Sequence, residues 1–392
     1  MTPKASKASA GSVSTLPSGL KVVSEDASTT ATVTLTFPAG SASEMLGEQG
    51  AALLNKNLAF RSGSNISTLL INRTIEDAGG TPFASVDRFG ATLGFTVAPE
   101  KALDLVGLLA VDCSFEKWDV RDAKKLSEVD CTEAAKSAQV ALTESLYAAA
   151  YGPQSPAGRP LYYSGASIES IQAFRDRTYG VNGAVLAATG IPDHAAFCTQ
   201  VSEILASAPK GSSQGPAVVT YLGGESRVAA PAAGYAHVAL AFSAAPSVTT
   251  SVVKHMFSVL GLESGVSGFS TGSLVGVYAG SESPSGLVDA MTTVLTTAVT
   301  PDVVKRAKGL AKAEALFALD GGSAALAKYM TTAVMEGGSF TSAADVAKAY
   351  DAVTEAQVKA AVADMLKTNP ALATVGDIST VPYHATVASR FA

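Results

Sequence analysis

The order of apolar and polar residues in the first half of the chain recurs in the second half. In segment 31–37, β-branched and apolar residues alternate as Ala, Thr, Val, Thr, Leu, Thr and Phe. Alternation with a period of two predicts a strand with one buried face. Segment 236–242, Ala-His-Val-Ala-Leu-Ala-Phe, likewise follows a short strand and a turn, here at Gly234. We therefore interpret the chain as one structural unit written twice.

The elements that follow these strands also recur. Pro99 and Pro284 each open a helix, and proline suits the first turn because the missing N–H has no partner there anyway. The predicted helices are 49–60, 168–179, 251–262, 284–295 and 355–366, and the further strands are 87–97, 184–189, 272–279 and 371–375. Hairpin-like strands mixed with long helices predict an α+β fold of two homologous domains. Each domain is expected to be a mainly antiparallel sheet with helices packed on it.

The predicted domain boundary is a segment rich in Pro, Gly and Ser at 208–217, whose composition is typical of a linker. The N-terminal domain then covers 15–207 and the C-terminal domain 218–392. Segment 1–14 contains no acidic residue. It fits an N-terminal arm or the remnant of an organelle leader, and a disordered tail is the equally simple alternative.

Composition and charge exclude some classes of function. The formal net charge is −6 and no basic stripe is present, so nucleic-acid binding is not expected. No apolar run is long enough to span a membrane, so membrane association is expected only through partners. Hydrophobic residues make up 47% of the chain, which fits either a surface covered by partners or Ala-rich helices. The 3 cysteines are interpreted as buried free thiols.

Three stretches carry a resemblance to a known family. The first is Leu-Pro-Ser-Gly-Leu at 16–20 with Ala-Gly-Ser-Ala-Ser-Glu at 39–44; the second is Glu-Ser-Leu-Tyr-Ala-Ala-Ala-Tyr at 144–151 with Arg-Pro-Leu-Tyr at 159–162; the third is Ala-Leu-Ala-Thr-Val-Gly-Asp at 371–377. The chain resembles the pitrilysin-type peptidases, a family that includes the mitochondrial processing peptidase and the core proteins of the cytochrome bc1 complex. The second stretch is most similar to that of the non-catalytic core proteins. The resemblance covers residues 15–385 and implies a pitrilysin-like fold.

Active members of this family carry His-x-x-Glu-His on the first helix of the first half, with a further carboxylate beyond it. Two His and the carboxylate bind zinc, and the Glu of the motif deprotonates the zinc-bound water. By resemblance, Leu53 and Asn57 occupy the two His positions and Lys56 the Glu position, and the third ligand falls near Asp130. Leucine has no lone pair, asparagine is a poor zinc ligand, and lysine puts a cation beside the metal. The resemblance therefore implies a degenerate motif, with no metal, no cofactor and no catalytic site.

The 4 histidines do not suggest a different site. They are His194, His237, His255 and His384, and none is near another in the sequence. We interpret each as structural. No nucleophile elbow, phosphate-binding P-loop or dinucleotide-binding fingerprint is present.

A Gly-rich segment at 261–272 contains Gly265, Gly268 and Gly272. The α subunit of the processing peptidase has a Gly-rich loop in this region, so the resemblance implies a possible presequence-handling loop. An ordinary connection also needs glycine for positive φ angles. Both interpretations stay open.

The resemblance implies a structural subunit of complex III on the matrix side of the mitochondrial inner membrane. The expected partners are core protein 1 or a β-type processing subunit, together with cytochrome b, cytochrome c1 and the Rieske protein in a dimeric complex. The alternative is a non-catalytic α-type subunit of the processing peptidase, which would bind presequences for a zinc-bearing β-type partner. In neither case is the chain expected to be an enzyme by itself.

Overall fold

The computed structural model describes residues 11–110, 112–211, 219–230, 234–282, 284, 286–338 and 340–391. The strands are β1 Ser12–Thr15, β2 Lys21–Ser24, β3 Ala31–Phe37, β4 Thr81–Val86, β5 Ala91–Val97, β6 Val185–Ala188, β7 Gly224–Ala229, β8 Ala236–Ser243, β9 Ser267–Thr271, β10 Leu274–Ser281 and β11 Ala371–Gly376. The α-helices are α1 Ala51–Asn57, α2 Thr68–Asp77, α3 Ala102–Leu105, α4 Lys117–Lys136, α5 Ala138–Tyr151, α6 Ile168–Thr178, α7 His194–Ile204, α8 Val248–Leu260, α9 Leu287–Thr296, α10 Pro301–Asp320, α11 Ser323–Gly337, α12 Ala343–Ala352, α13 Glu355–Leu366 and α14 His384–Ala388.

The strands form two sheets, which confirms the predicted α+β class. The first sheet has the order β1-β2-β6-β3-β5-β4 and the second the order β7-β11-β8-β10-β9. In each sheet one neighbouring pair is parallel, β2 with β6 and β11 with β7, and the other pairs are antiparallel. The two sheets therefore repeat the same arrangement, as the sequence pattern predicts.

Strand β3 is buried along its whole length, so the prediction that only one of its faces is buried is wrong. Its apolar residues join the core of the first sheet, and the threonines on the other face meet α11. Thr32 Oγ1 donates to Ser323 Oγ at 2.8 Å, and the hydroxyls of Thr34 and Thr331 lie 3.4 Å apart. Alternating threonines resemble the polar face of a half-exposed strand. A threonine hydroxyl can nevertheless be buried when it forms a hydrogen bond with another hydroxyl.

The contacts divide the chain into two compact units that are not continuous in sequence. One comprises residues 1–131, 161–217 and 316–345, and the other comprises 132–160, 218–315 and 346–392. Helix α11 packs on β2, β3 and β6 in the first unit, and α5 packs on β7, β8 and β11 in the second. Each sheet is thus covered by a helix from the other half of the sequence.

The domain boundaries 15–207 and 218–392 stay predictions about the sequence repeat. Most of the predicted linker 208–217 lies outside the described residues, as do residues 1–10 of the predicted arm. The described end of that arm contains β1, which pairs antiparallel with β2.

Within the described ranges, no single helix combines the length and the hydropathy that a membrane crossing needs. Helices α9 and α10 reach the threshold only when taken together, and they are bent by 101° at their junction.

Candidate functional site

Helix α1, on which the resemblance places the degenerate motif, is a buried helix with a well-defined start. Its N-cap is Gly50, whose φ of +86° is in the left-handed region. The carboxylate of Glu44 accepts hydrogen bonds from the backbone N–H groups of Gly50 at 3.1 Å and Ala52 at 2.9 Å. Asn55, fully buried, donates through Nδ2 to the carbonyl oxygens of Ala51 and Ile171. These bonds hold the helix in place and fix the direction of its side chains.

The predicted site residues Lys56, Asn57 and Asp130 meet in the structure. Lys56 Nζ lies 3.1 Å from Asp130 Oδ2, and Asn57 Nδ2 donates to the same oxygen at 3.0 Å. Asn57 Nδ2 also lies 2.9 Å from the hydroxyl of Ser127, one turn before Asp130 on α4. Leu53 stands on the same side of α1 and is 2% exposed. The sequence resemblance thus points to residues that are neighbours in space.

The chemistry of this cluster does not suit zinc. Asp130 Oδ2 already accepts hydrogen bonds from the ammonium of Lys56 and the amide of Asn57. Both of these groups are hydrogen-bond donors, whereas a metal ion needs ligand atoms with free lone pairs. Leu53 offers no ligand atom at all. In the described part of the chain, no group of three or more His, Cys, Asp and Glu side chains is placed to hold a metal ion. The positive charge that balances Asp130 comes from Lys56.

A cleft of about 390 Å³ opens beside the cluster, lined by Lys56, Asn57, Arg61, Phe60 and residues of α2 and β4. Phe60 has a φ of +56°, an uncommon conformation for a bulky residue. The guanidinium of Arg61 lies 3.8 Å from the buried carboxylate of Asp119. The cleft therefore offers aromatic surface and paired charges.

The three glycines of the proposed presequence loop each have a local structural role. Gly265 lies in the turn after α8 with a φ of +69°, and Gly272 turns the β9–β10 hairpin with a φ of +54°. Gly268 lies in β9, where an added Cβ would stand 1.9 Å from the carbonyl oxygen of Lys254. A presequence-binding role for these glycines stays a prediction, and the turns and the close approach account for all three.

The histidines that the sequence left as structural each have a partner. His237 Nδ1 lies 2.8 Å from the hydroxyl of Tyr278, and burial lowers the pKa of His237. His255 Nε2 lies 2.6 Å from a carboxylate oxygen of Glu314. His384 Nε2 lies 2.8 Å from the Pro370 carbonyl oxygen. Each of these three histidines is therefore held by a hydrogen-bonding partner.

The fourth histidine, His194, forms a contact that the sequence analysis missed. Its Nε2 lies 3.4 Å from the thiol of Cys198. The signal was present in the sequence, since a spacing of four places both side chains on one face of a helix. The hydroxyls that complete this cluster come from distant strands and carry no such signal.

Comparison with known proteins places the fold. The sequence model of the family described as Insulinase (Peptidase family M16) matches residues 21–165, a stretch that contains α1 and Asp130. Among solved structures, a chain of "Complex III2 from Candida albicans, Inz-5 bound" matches with a TM-score of 0.78 at 17% identity, over 97% of this chain and 99% of that chain. The chain has the M16 peptidase fold.

The sequence is also similar to those of subunits of the mitochondrial processing peptidase. The α subunit of Solanum tuberosum is 31% identical over 240 residues, which is 59% of this chain and 47% of that protein. The β subunit of Lentinula edodes is 25% identical over 400 residues, 88% of this chain and 85% of that protein. The chain spans about half the length of the α subunits that it matches, 47% and 44%. The chain is thus similar in sequence to subunits of the processing peptidase, and Lys56, Asn57 and Asp130 lie within the segment that the M16 model matches.

Proposed function

We propose that this chain is a structural subunit of mitochondrial complex III, similar in role to core protein 2, and that it has no catalytic site of its own. The observation that carries the proposal is the match to a complex III chain from end to end, over 97% and 99% of the two chains. The match shows a shared fold over the full length of a chain from a complex III structure, and the proposal extends that assembly role to this chain. The protein would then act through packed surface.

The Lys56–Asp130 contact supports the absence of peptidase activity. An M16 peptidase needs a zinc-bound water and a carboxylate to deprotonate it. Here the helix presents Leu53, Lys56 and Asn57, and the neighbouring carboxylate of Asp130 is bonded to an ammonium and an amide. This arrangement stabilises the contact between α1 and α4 and offers no general base toward a metal.

The proposed location is the matrix side of the mitochondrial inner membrane, where the chain would be peripheral. Its partners would be core protein 1 or a β-type processing subunit, and cytochrome b, cytochrome c1 and the Rieske protein within a dimeric complex. Permanent interfaces of this kind bury about 2,000–5,000 Å² and are more apolar than transient ones. The 47% apolar composition agrees with such a demand for covered surface.

A second candidate function is that of a non-catalytic α-type processing subunit. The 31% identity to the Solanum tuberosum α subunit favours it. In that role the chain would hold presequences while a zinc-bearing β-type partner cleaves them. The segment from Gly265 to Gly272 forms a turn and part of the β9–β10 hairpin. In this role it would contact the presequence through β9.

Depletion of the chain separates the two functions. If the chain is a structural subunit of complex III, its loss reduces the assembled complex and its spectroscopic haem b and haem c1, while imported precursors are still cleaved. If it is an α-type subunit, uncut precursors accumulate first, before complex III declines. The measurement is a time course of native gels and of precursor size after depletion. Early precursor accumulation with intact complex III would contradict the leading proposal.

A further inference from the structure

A cysteine and a histidine of α7 form a contact outside the degenerate zinc site. His194 is the first residue of the helix and Cys198 lies one turn later. The thiol of Cys198 is 3.4 Å from Nε2 of the imidazole. This distance is within the range of a hydrogen bond to sulfur, so the imidazole can accept the thiol proton directly.

A third residue orients the imidazole. Nδ1 of His194 lies 2.8 Å from the hydroxyl of Ser24, the last residue of β2. This contact fixes the ring so that Nε2 faces the thiol. A nucleophile, a base and a group that orients the base are the elements of an activated thiol.

Strand β1 supplies a competing partner for the imidazole. The hydroxyl of Ser14 lies 2.8 Å from the same Nε2 and also forms a hydrogen bond with the thiol of Cys198. Burial raises the pKa of Cys198 although the bond from Ser14 acts in the opposite direction. Burial also lowers the pKa of His194, although the carboxylate of Asp193 opposes that shift. Burial therefore favours the neutral thiol and the neutral imidazole, while Ser14 occupies the nitrogen that would accept the thiol proton.

The strand that supplies Ser14 is short and peripheral. β1 has four residues, lies at the edge of the first sheet and, among the described strands, pairs only with β2. The side chains of Ser12 and Thr15, at its two ends, are exposed. Short edge strands open at a lower free-energy cost than central ones because fewer apolar contacts break. Opening of β1 would remove Ser14 and leave His194 as the base of Cys198.

We propose that Cys198 is a latent reactive thiol, that His194 is its base, and that Ser14 of β1 blocks the pair. The co-reactant is a hydroperoxide. His194 takes the thiol proton, and the sulfur attacks one oxygen of hydrogen peroxide as the O–O bond breaks. The leaving hydroxide takes the proton from the imidazolium. The thiol is oxidised to a sulfenic acid and the peroxide is reduced to water, so atoms and electrons balance.

The test measures how fast each cysteine of the full chain reacts with iodoacetamide and with hydrogen peroxide, peptide by peptide, by mass spectrometry. Cys113 and Cys131 are internal references: both are less buried than Cys198, and neither has an imidazole among the groups that shift its pKa. Exposure alone predicts that Cys198 reacts most slowly. The variants are Ser14→Ala, His194→Gln and the two combined, with Ser12→Ala as the control on the same strand.

The proposal predicts that Ser14→Ala raises the rate at Cys198 about tenfold, because Nε2 of His194 loses its competing partner and can accept the thiol proton. This gain is expected to outweigh the loss of the hydrogen bond from Ser14 that lowers the pKa of Cys198. The rates at Cys113 and Cys131 stay unchanged, and adding His194→Gln removes the gain. In Ser14→Ala the rate at Cys198 also rises at a lower pH than the rate at Cys131. The proposal is overturned if Ser14→Ala matches Ser12→Ala, if all three cysteines accelerate together, or if the gain survives His194→Gln.

Discussion

The contact between Lys56 and Asp130 places a positive charge beside the carboxylate at the position that the resemblance assigns to a zinc ligand. A carboxylate near the end of a buried helix needs compensation because its desolvation is costly. Here an ammonium and an amide supply it, at 3.1 Å and 3.0 Å. The side chains of Lys56 and Asp130 are 26% and 32% exposed, so water also screens the pair. The contact is a local structural solution and adds little stability beyond that.

Restoring the motif should restore a metal site. In the variant Leu53→His/Lys56→Glu/Asn57→His, two imidazoles and Asp130 provide three ligands on α1 and α4, which is enough to bind zinc with an open position. We expect about one equivalent of zinc per chain by mass spectrometry of the metal after dialysis. The control adds Asp130→Ala to the same variant and should lose most of this zinc. Equal zinc in both proteins would show that Asp130 does not lie at the ligand position.

His194 should make the first unit sensitive to acid. Its pKa is lowered by burial from 6.5, so the unfolded chain binds the proton at a higher pH than the folded chain. Its neutral form therefore contributes stability above about pH 6.5, and that contribution is lost as the pH falls through the folded-state pKa. We expect the urea midpoint to fall between pH 7.5 and pH 5.5, and to fall less in His194→Gln. The same pH dependence in both proteins would contradict this account.

At the scale of elements, each sheet depends on a helix from the other half of the sequence. Met330 and Val334 of α11 are fully buried against Val23, Val185 and Ala187 of the first sheet. This packing brings together residues that lie far apart in the sequence, in α11 and in the strands of the first sheet. It also explains why β3 is buried on both faces.

Two methionines of α11 provide a matched test of this packing. Met330→Ala removes a fully buried side chain and should lower the free energy of unfolding by about 2–5 kcal/mol. Met335→Ala, on the same helix, removes a side chain that is 37% exposed and should have a much smaller effect. Urea unfolding of both variants measures the difference. Equal losses would mean that α11 does not cover the first sheet in solution.

The sequence predicted those elements whose residues carry a periodic pattern. Strands β3 and β8, helices α1 and α8 and the duplicated order follow from alternation and turn signals. Strand β4 lacks such a signal and contains Pro82, which an edge strand tolerates because one side of it needs no partner. Strand β1 lies in a segment whose composition resembles a tail. Strand β1 forms because it pairs with β2, and its four residues alone carry no periodic pattern that would predict a strand.

At the scale of the whole molecule, the sequence predicts the candidate site better than it predicts which sheet is covered by α5 and which by α11. Lys56, Asn57 and Asp130 were found because a family motif fixes their register, and the structure brings them together. The partition into 1–131, 161–217 and 316–345 against the remainder was not predictable, because it depends on which sheet α5 and α11 cover. The cluster of Cys198, His194, Ser14 and Ser24 depends on the same kind of long-range contact.

The central claim is that this chain is part of complex III. The most direct measurement is to solubilise mitochondrial inner membranes in mild detergent, separate intact complexes on a native gel, and trace the chain by mass spectrometry against the haem b and haem c1 absorbance. The account predicts that the chain migrates with both haems, in constant proportion across the band. Migration in a smaller particle without haem, with presequence-cleaving activity, would contradict the account and favour the α-type processing subunit.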